Sequence, residues 1–171
     1  MSRASRVLTV LVIAVGVAAA APAQAGPADA EVKRSLADVR RATARYHDVN
    51  RAVADGYVPT QVCVPQMGLH YLNPPLLDDP ALDPTKPEIV IYAPGPNGKL
   101  RLVAVEWWSA DPDQDLATDA GRPSLFGVPF DGPMPGHHPG MPVHFDLHAW
   151  IWKHNPAGMF TAFNPTVSCP A

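Results

Sequence analysis

Cysteine is scarce in this chain of 171 residues, with only Cys63 and Cys169 present. Neither has a second Cys or a His at finger spacing, which argues against a structural zinc site built on thiolates. No Cys-x-x-Cys-His occurs, so covalent haem attachment is excluded. The nucleophile elbow Gly-x-Ser-x-Gly and the glycine-rich phosphate loop are both missing, and with them two common enzyme signatures. Internal repeats are absent, and the one compositional bias is toward proline, at 21 residues. After residue 21 no second long apolar run follows. Whatever chemistry the chain performs must come from histidines, carboxylates and aromatics.

The N-terminus reads as an export signal. Arg3 and Arg6 give a positive start, Val7 to Ala21 is a small-apolar run, and Ala23-Gln24-Ala25 is a small-x-small cleavage site. The run is too short for a comfortable membrane span of about 20 residues. No Cys follows the cleavage site to carry a lipid. These features predict a signal peptide over 1–25 and a secreted or extracytoplasmic protein with no stable membrane anchor. Cleavage there leaves Gly26 at the new N-terminus, which excludes a copper site built on an N-terminal histidine amine. About 146 of the 171 residues remain, enough for a single domain over 26–171. In an exported chain the two cysteines predict one disulfide, closing a loop of 106 residues and pinning the C-terminal tail.

Charge argues against a nucleic-acid partner. Removing Arg3 and Arg6 from the 13 Lys and Arg leaves 11 against 16 Asp and Glu, a net charge of −5 with His neutral. Six of those 11 cations fall between Lys33 and Arg51, with Asp38 and Asp48 among them and Tyr46 the one aromatic. That is the pattern of a solvated helix face.

Val32, Leu36, Val39, Thr43, Tyr46 and Val53 predict a helix over 28–54, with Asp29 as N-cap and Gly56 and Pro59 as the stop. Short strands are predicted at 60–64 and 68–72. Five prolines make 74–87 a stiff connector without a helix. Residues 88–93 and 99–108 predict a β-hairpin around Pro94-Gly95-Pro96-Asn97-Gly98. From Ser109 to Pro142 the chain is rich in Pro, Gly and Asp, and a long ordered loop of this kind tends to be functional. The fold class is therefore α+β: one N-terminal helix on an antiparallel sheet of four or five strands, with long Pro/Gly-rich loops.

The most informative stretch is 143–152. Val143, Phe145, Leu147, Ala149 and Ile151 are apolar, while His144, Asp146, His148, Trp150 and Trp152 alternate with them. A period of two predicts a strand with one core face and one face of imidazoles, a carboxylate and indoles. His70 and Glu106 lie on two other predicted strands. Together His70, Glu106, His144, Asp146 and His148 are the candidate metal ligands, the donor types that suit a divalent Zn, Cu, Fe or Mn ion. Strand geometry limits the set. Residues two apart on one face stand about 7 Å apart and residues four apart about 13 Å. Asp146 can therefore share an ion with His144 or His148, whereas His144 and His148 cannot share one. A helix would bring those two histidines within one turn, but the alternation argues against it. A metal-free acid/base or ligand site, or a purely structural polar network, would use the same residues.

Other features have simpler explanations. His137 and His138 sit in a Gly/Pro loop and could move protons over the strand; a solvated turn explains them more simply. Asp111, Asp113, Asp115 and Asp119 match four positions of a calcium loop, but Leu116 and Arg122 stand where that loop needs Gly and Glu. Trp108, Trp150 and Trp152 could form stacking surfaces for an envelope polysaccharide or another flat ligand, against the simpler reading of core and rim packing.

The phrases Gly68-Leu69-His70-Tyr71-Leu72-Asn73-Pro74, Val105-Glu106-Trp107 and Asp146-Leu147-His148-Ala149-Trp150 carry a resemblance, continued by Asn155-Pro156-x-Gly158-x-Phe160 and Cys169. Over most of the exported chain the sequence resembles a family of small exported proteins of high-GC bacteria. The resemblance implies export and carries no activity or ligand assignment. The residues themselves support a metal-binding exported domain, possessing water- or dioxygen-activating chemistry if it is an enzyme. A non-catalytic binding module for a small or envelope ligand is the rival.

Overall fold

Val32, Leu36 and Val39 recur at helical spacing, and in the computed structural model they line the inner face of α1 (Pro27–Thr43). The structure describes residues 27–170; the export signal read over 1–25 and Gly26 lie outside the described residues. The helix expected over 28–54 does not run unbroken. A 3-10 turn at Ala44–His47 follows α1, and Asp48 then leaves helical geometry at φ −92 and ψ 107. Its carboxylate accepts from the Asn50 N–H and caps a second helix, α2 (Val49–Ala54). A short acidic side chain satisfies orphan helix donors better at a cap than inside a helix.

Among the described residues, eight strands follow. They are β1 (Val58–Val64), β2 (Gly68–Leu72), β3 (Ile89–Pro94), β4 (Leu100–Ala110), β5 (Ser124–Leu125), β6 (Val128–Pro129), β7 (Asp131–Met134) and β8 (His144–Ala149). Six form one antiparallel sheet in the order β1-β2-β3-β4-β8-β7, and β5 and β6 form a separate ribbon. The α+β class holds, with six strands in the main sheet where four or five were expected. The extra pieces lie in the Pro/Gly segment. Asp131-Gly132-Pro133-Met134 has no alternating apolar pattern, and only the free edge of β8 makes it a strand. One turn of helix, α3 (Pro74–Leu77), also occurs in the connector expected to hold none. Proline at the first helical positions costs no hydrogen bond, because those N–H groups have no helical partner anyway.

The central strands are buried on both faces, which is unusual for an antiparallel sheet. Toward the helices point Tyr71, Val90, Tyr92, Val105, Phe145 and Leu147, packed with Leu36, Val39 and Ala52. Trp107 is fully buried on this side. Three long-range bonds hold the helical layer down: Tyr92 Oη to the Tyr46 carbonyl at 2.7 Å, Arg40 Nε to the Ile151 carbonyl at 3.1 Å and Trp152 Nε1 to Thr43 Oγ1 at 3.3 Å. On the opposite face Ile89, Ile91, Ala104 and Trp150 pack with Val167 of the C-terminal tail. The Cys63–Cys169 disulfide, with Cα atoms 5.7 Å apart, ties that tail to the edge strand β1. Removing it with Cys63→Ser/Cys169→Ser should lower stability by about 4 to 5 kcal/mol in the chain-entropy account, read as a reduced denaturation midpoint.

Glu88 precedes β3 and is 2 % exposed. Its Oε2 accepts from the Trp108 N–H at 3.2 Å, serving a β4 donor that β3 no longer reaches. Burial pushes its carboxyl up to about 7. The native state therefore holds this proton to a higher pH than the unfolded chain, and stability falls as pH rises from the usual carboxylate range through about 7. Glu88→Gln should remove that loss. Its stability relative to wild type should grow between pH 5 and pH 7.5 by up to about 3 kcal/mol in denaturant titrations, and a flat difference would refute the assignment.

Candidate metal centre

Pairing register builds the site. β8 lies beside β4 with Glu106 opposite His148, Trp108 opposite Asp146 and Ala110 opposite His144. On the other side of β4, Ile89 stands opposite Glu106, and Leu72 of β2 stands opposite Ile89. His70 is two residues from Leu72 on the same face, so it approaches Glu106 diagonally across β3. Gly68 makes this possible. Its φ is +112, and a Cβ there would run into the Tyr92 carbonyl oxygen, so any other residue would push β2 away from β3.

His70, Glu106 and His148 each offer a donor atom, and the three atoms lie within 4.8 Å of one another. Glu106 Oε2 is 3.4 Å from His148 Nε2 and 3.5 Å from His70 Nε2. These separations are long for hydrogen bonds. They match the roughly 3.3 to 3.6 Å between ligand atoms placed tetrahedrally about 2.0 to 2.2 Å from a zinc-sized ion. His148 Nδ1 faces Asp146 Oδ1 at 3.5 Å. With a proton on Nδ1 facing the Asp146 carboxylate across this electrostatic contact, the Nε2 lone pair is directed toward Glu106, as outer carboxylates orient histidines on metals.

Polar atoms here lack protein partners. Glu106 Oε2, both ring nitrogens of His148 and Asp146 Oδ1 are buried without a hydrogen bond. Leaving such atoms unsatisfied costs about 1 to 3 kcal/mol each, and more for charged groups. A bound cation answers Glu106 and His148 Nε2 together. The donor set therefore fits an ion.

Electrostatics favours a neutral His70. Burial, reinforced by the charge on His148, pushes it down to about 4. Burial raises Glu106. For His148 burial acts downward, and the Glu106 and Asp146 carboxylates outweigh it, so its imidazole holds a proton above the usual histidine range. Without an ion, both shifts favour a proton held between Glu106 and His148. Asp131, opposite Asp146 on β7, is itself raised, by partial burial and then by the Asp146 charge.

His144 does not join this group. It is fully buried at the far end of the row, stacked on Trp108 at 5.8 Å between ring centroids, with Nδ1 3.1 Å from the Pro142 carbonyl and Nε2 unpartnered. His137 leans edge-on against it at 4.9 Å. His137 and His138 both line the pocket above the cluster, as exposed side chains of the loop. The expected indole surface is not assembled. Trp150 is 3 % exposed and donates to the Thr161 carbonyl at 2.7 Å. Trp152 lies past the end of β8, which stops at Ala149 rather than 152, and packs on His47 at 4.4 Å beside α1. Trp108 stays half-buried on the site face, with His144 stacked across it.

Residues with no chemical signature complete the pocket. Val62 and Val64 of β1, Met67, Met141 and Phe163 line a cavity of about 470 Å³ together with His70, Glu106 and His148. No run or spacing announces them, because they meet only through the edge strand, the loop and the disulfide-tethered tail. Among the described residues, fold and site define an α+β domain with a His/Glu/His cluster on the non-helical face of its sheet. Comparison with protein-family models, curated proteins and solved structures finds no match to this chain.

In the metal-free protein, proton-detected NMR should show the His70 ring staying neutral until pH falls to about 4. Titration of His70 near the ordinary histidine value would mean that the cluster is open to water.

Proposed function

We propose that this chain is an exported metal-binding protein that holds one divalent transition metal on His70 Nε2, His148 Nε2 and Glu106. The observation that carries this reading is the convergence of three donor atoms from three strands within 4.8 Å, with buried lone pairs lacking any protein partner. Export is supported by the Cys63–Cys169 disulfide, which suits an oxidising compartment, and by the signal read over 1–25. No helix among the described residues is long and apolar enough to cross a membrane.

Two imidazoles and one carboxylate on one side of an ion leave positions open, the pattern of catalytic zinc and of non-haem iron sites. Such an ion would supply Lewis acidity or dioxygen chemistry at the floor of the pocket. The chain's own groups have distinct tasks. Asp146 orients His148 through Nδ1. Apolar walls limit water at the cluster. His137 and His138, on the loop that lines the pocket, would carry protons between the site and solvent.

Elemental analysis of protein purified without chelators tests the reading. Wild type should contain close to one equivalent of metal, and His70→Ala and His148→Ala should each lose most of it while keeping the wild-type circular dichroism spectrum. Equal metal content in all three would sink the proposal. Asp146→Asn should keep the stoichiometry at saturating metal and weaken affinity about 10- to 100-fold, measured by competition with a chromophoric chelator.

A further inference from the structure

The cavity above the cluster has the build of a ligand site as well as a metal site. Its volume of about 470 Å³ lies within the range of small-molecule pockets. Its polar groups are largely segregated. His70, Glu106, Asp146 and His148 form one group on the sheet, His137 and His138 another on the loop. The rest of the lining is mostly apolar, made by Val62, Val64, Leu72, Ile89 and Phe163, with Thr60 on β1 the one further polar side chain.

A second observation concerns the mouth. Among the described residues six large apolar side chains are exposed, Val62 at 62 % and Phe163 at 52 % among them. Both line this same cavity. They belong to segments joined by the disulfide, β1 carrying Cys63 and the tail carrying Cys169, so the bond holds the two lips together. Exposed apolar residues scattered singly need no explanation, whereas two facing lips of one pocket do. Met67 and Met141 add unbranched, polarisable side chains that adjust to differently shaped apolar guests.

From this arrangement, and resting on the metal reading above, we infer that the site takes a small amphiphile. Its single oxygen-bearing head reaches the metal cluster, and an apolar body of roughly six to ten carbons lies along the Val62–Phe163 wall. A polysaccharide does not fit the arrangement. Most of its hydroxyls would meet apolar walls without partners, at a cost for each one left unsatisfied, and of the indoles that would stack on its rings Trp150 is buried, Trp152 is bonded to α1 and Trp108 is already stacked on His144. The head group selects the floor and the body selects the wall, so the two contributions are separable.

Calorimetric titration of the exported full chain separates them, with octanoate, acetate and maltose as probes and with zinc-loaded and chelator-stripped protein in parallel. Octanoate should bind the loaded protein at least about tenfold more tightly than acetate, since each buried methylene contributes to affinity. Maltose should not bind. Stripping the zinc should weaken both acids while leaving octanoate the tighter. Val62→Asn and Phe163→Ser, at exposed positions that folding tolerates, should weaken octanoate about fivefold or more and leave metal content unchanged. Octanoate binding no better than acetate in both forms, or maltose binding better than either, overturns the inference. Failure to take up zinc with the octanoate preference intact overturns the metal reading and leaves the apolar pocket standing.

Discussion

The interaction on which the rest depends is the meeting of Glu106 with two imidazoles in the interior of a sheet. A carboxylate at 5 % exposure loses most of its hydration, and neither His70 nor His148 replaces it with a short hydrogen bond. Such a group survives burial only when charge of the opposite sign is close and geometry is fixed. The sheet provides the fixing. Cross-strand register sets Glu106 against His148, and the close approach of β2 to β3 at Gly68 delivers His70. Each donor sits on a strand buried or nearly buried among its neighbours, and strands hold side chains more tightly than loops do.

Burying the cluster required two covering layers. The helices do this on one side with ordinary apolar packing. On the other side the cover is irregular chain: the loop around His137 and His138 and the tail after Asn164. Irregular backbone needs its polar groups answered locally, and Asn155 and Asn164 do so. Asn155 donates to the Phe163 carbonyl and accepts from the Ala157 N–H, while Asn164 donates to the His154 carbonyl and accepts from the Thr166 N–H. Both asparagines are buried. The disulfide completes this by tying the tail to the strand that forms the lip of the pocket.

The even-numbered residues of β8 and Trp150 just beyond it share one face but not one task. His148 joins the cluster, Asp146 orients it, His144 packs between Trp108 and His137, and Trp150 anchors the tail through the Thr161 carbonyl. The spacing of a strand explains the division. Centres four residues apart are too distant to meet at one ion, so a row of ligand-type side chains resolves into one site and its supports.

How much of this was legible follows from which interactions are local. Periodicity is local, so the alternation over 143–152 correctly sends Phe145, Leu147 and Ala149 to the helical core and His144, Asp146 and His148 to the other face. Helical spacing places Leu36 and Val39 on the core, and the chain's two cysteines have only each other to pair with. Register, strand order and loop cover are not local. That β2 reaches Glu106 across β3, that Asp131–Met134 becomes a strand and that Trp150 and Trp152 leave the site were decided by pairing and packing between distant segments. The amino-acid order determined which residues could face a site. Only the tertiary structure chose which three of them meet, because convergence depends on how strands stack sideways, and a period along the chain carries no information about that direction.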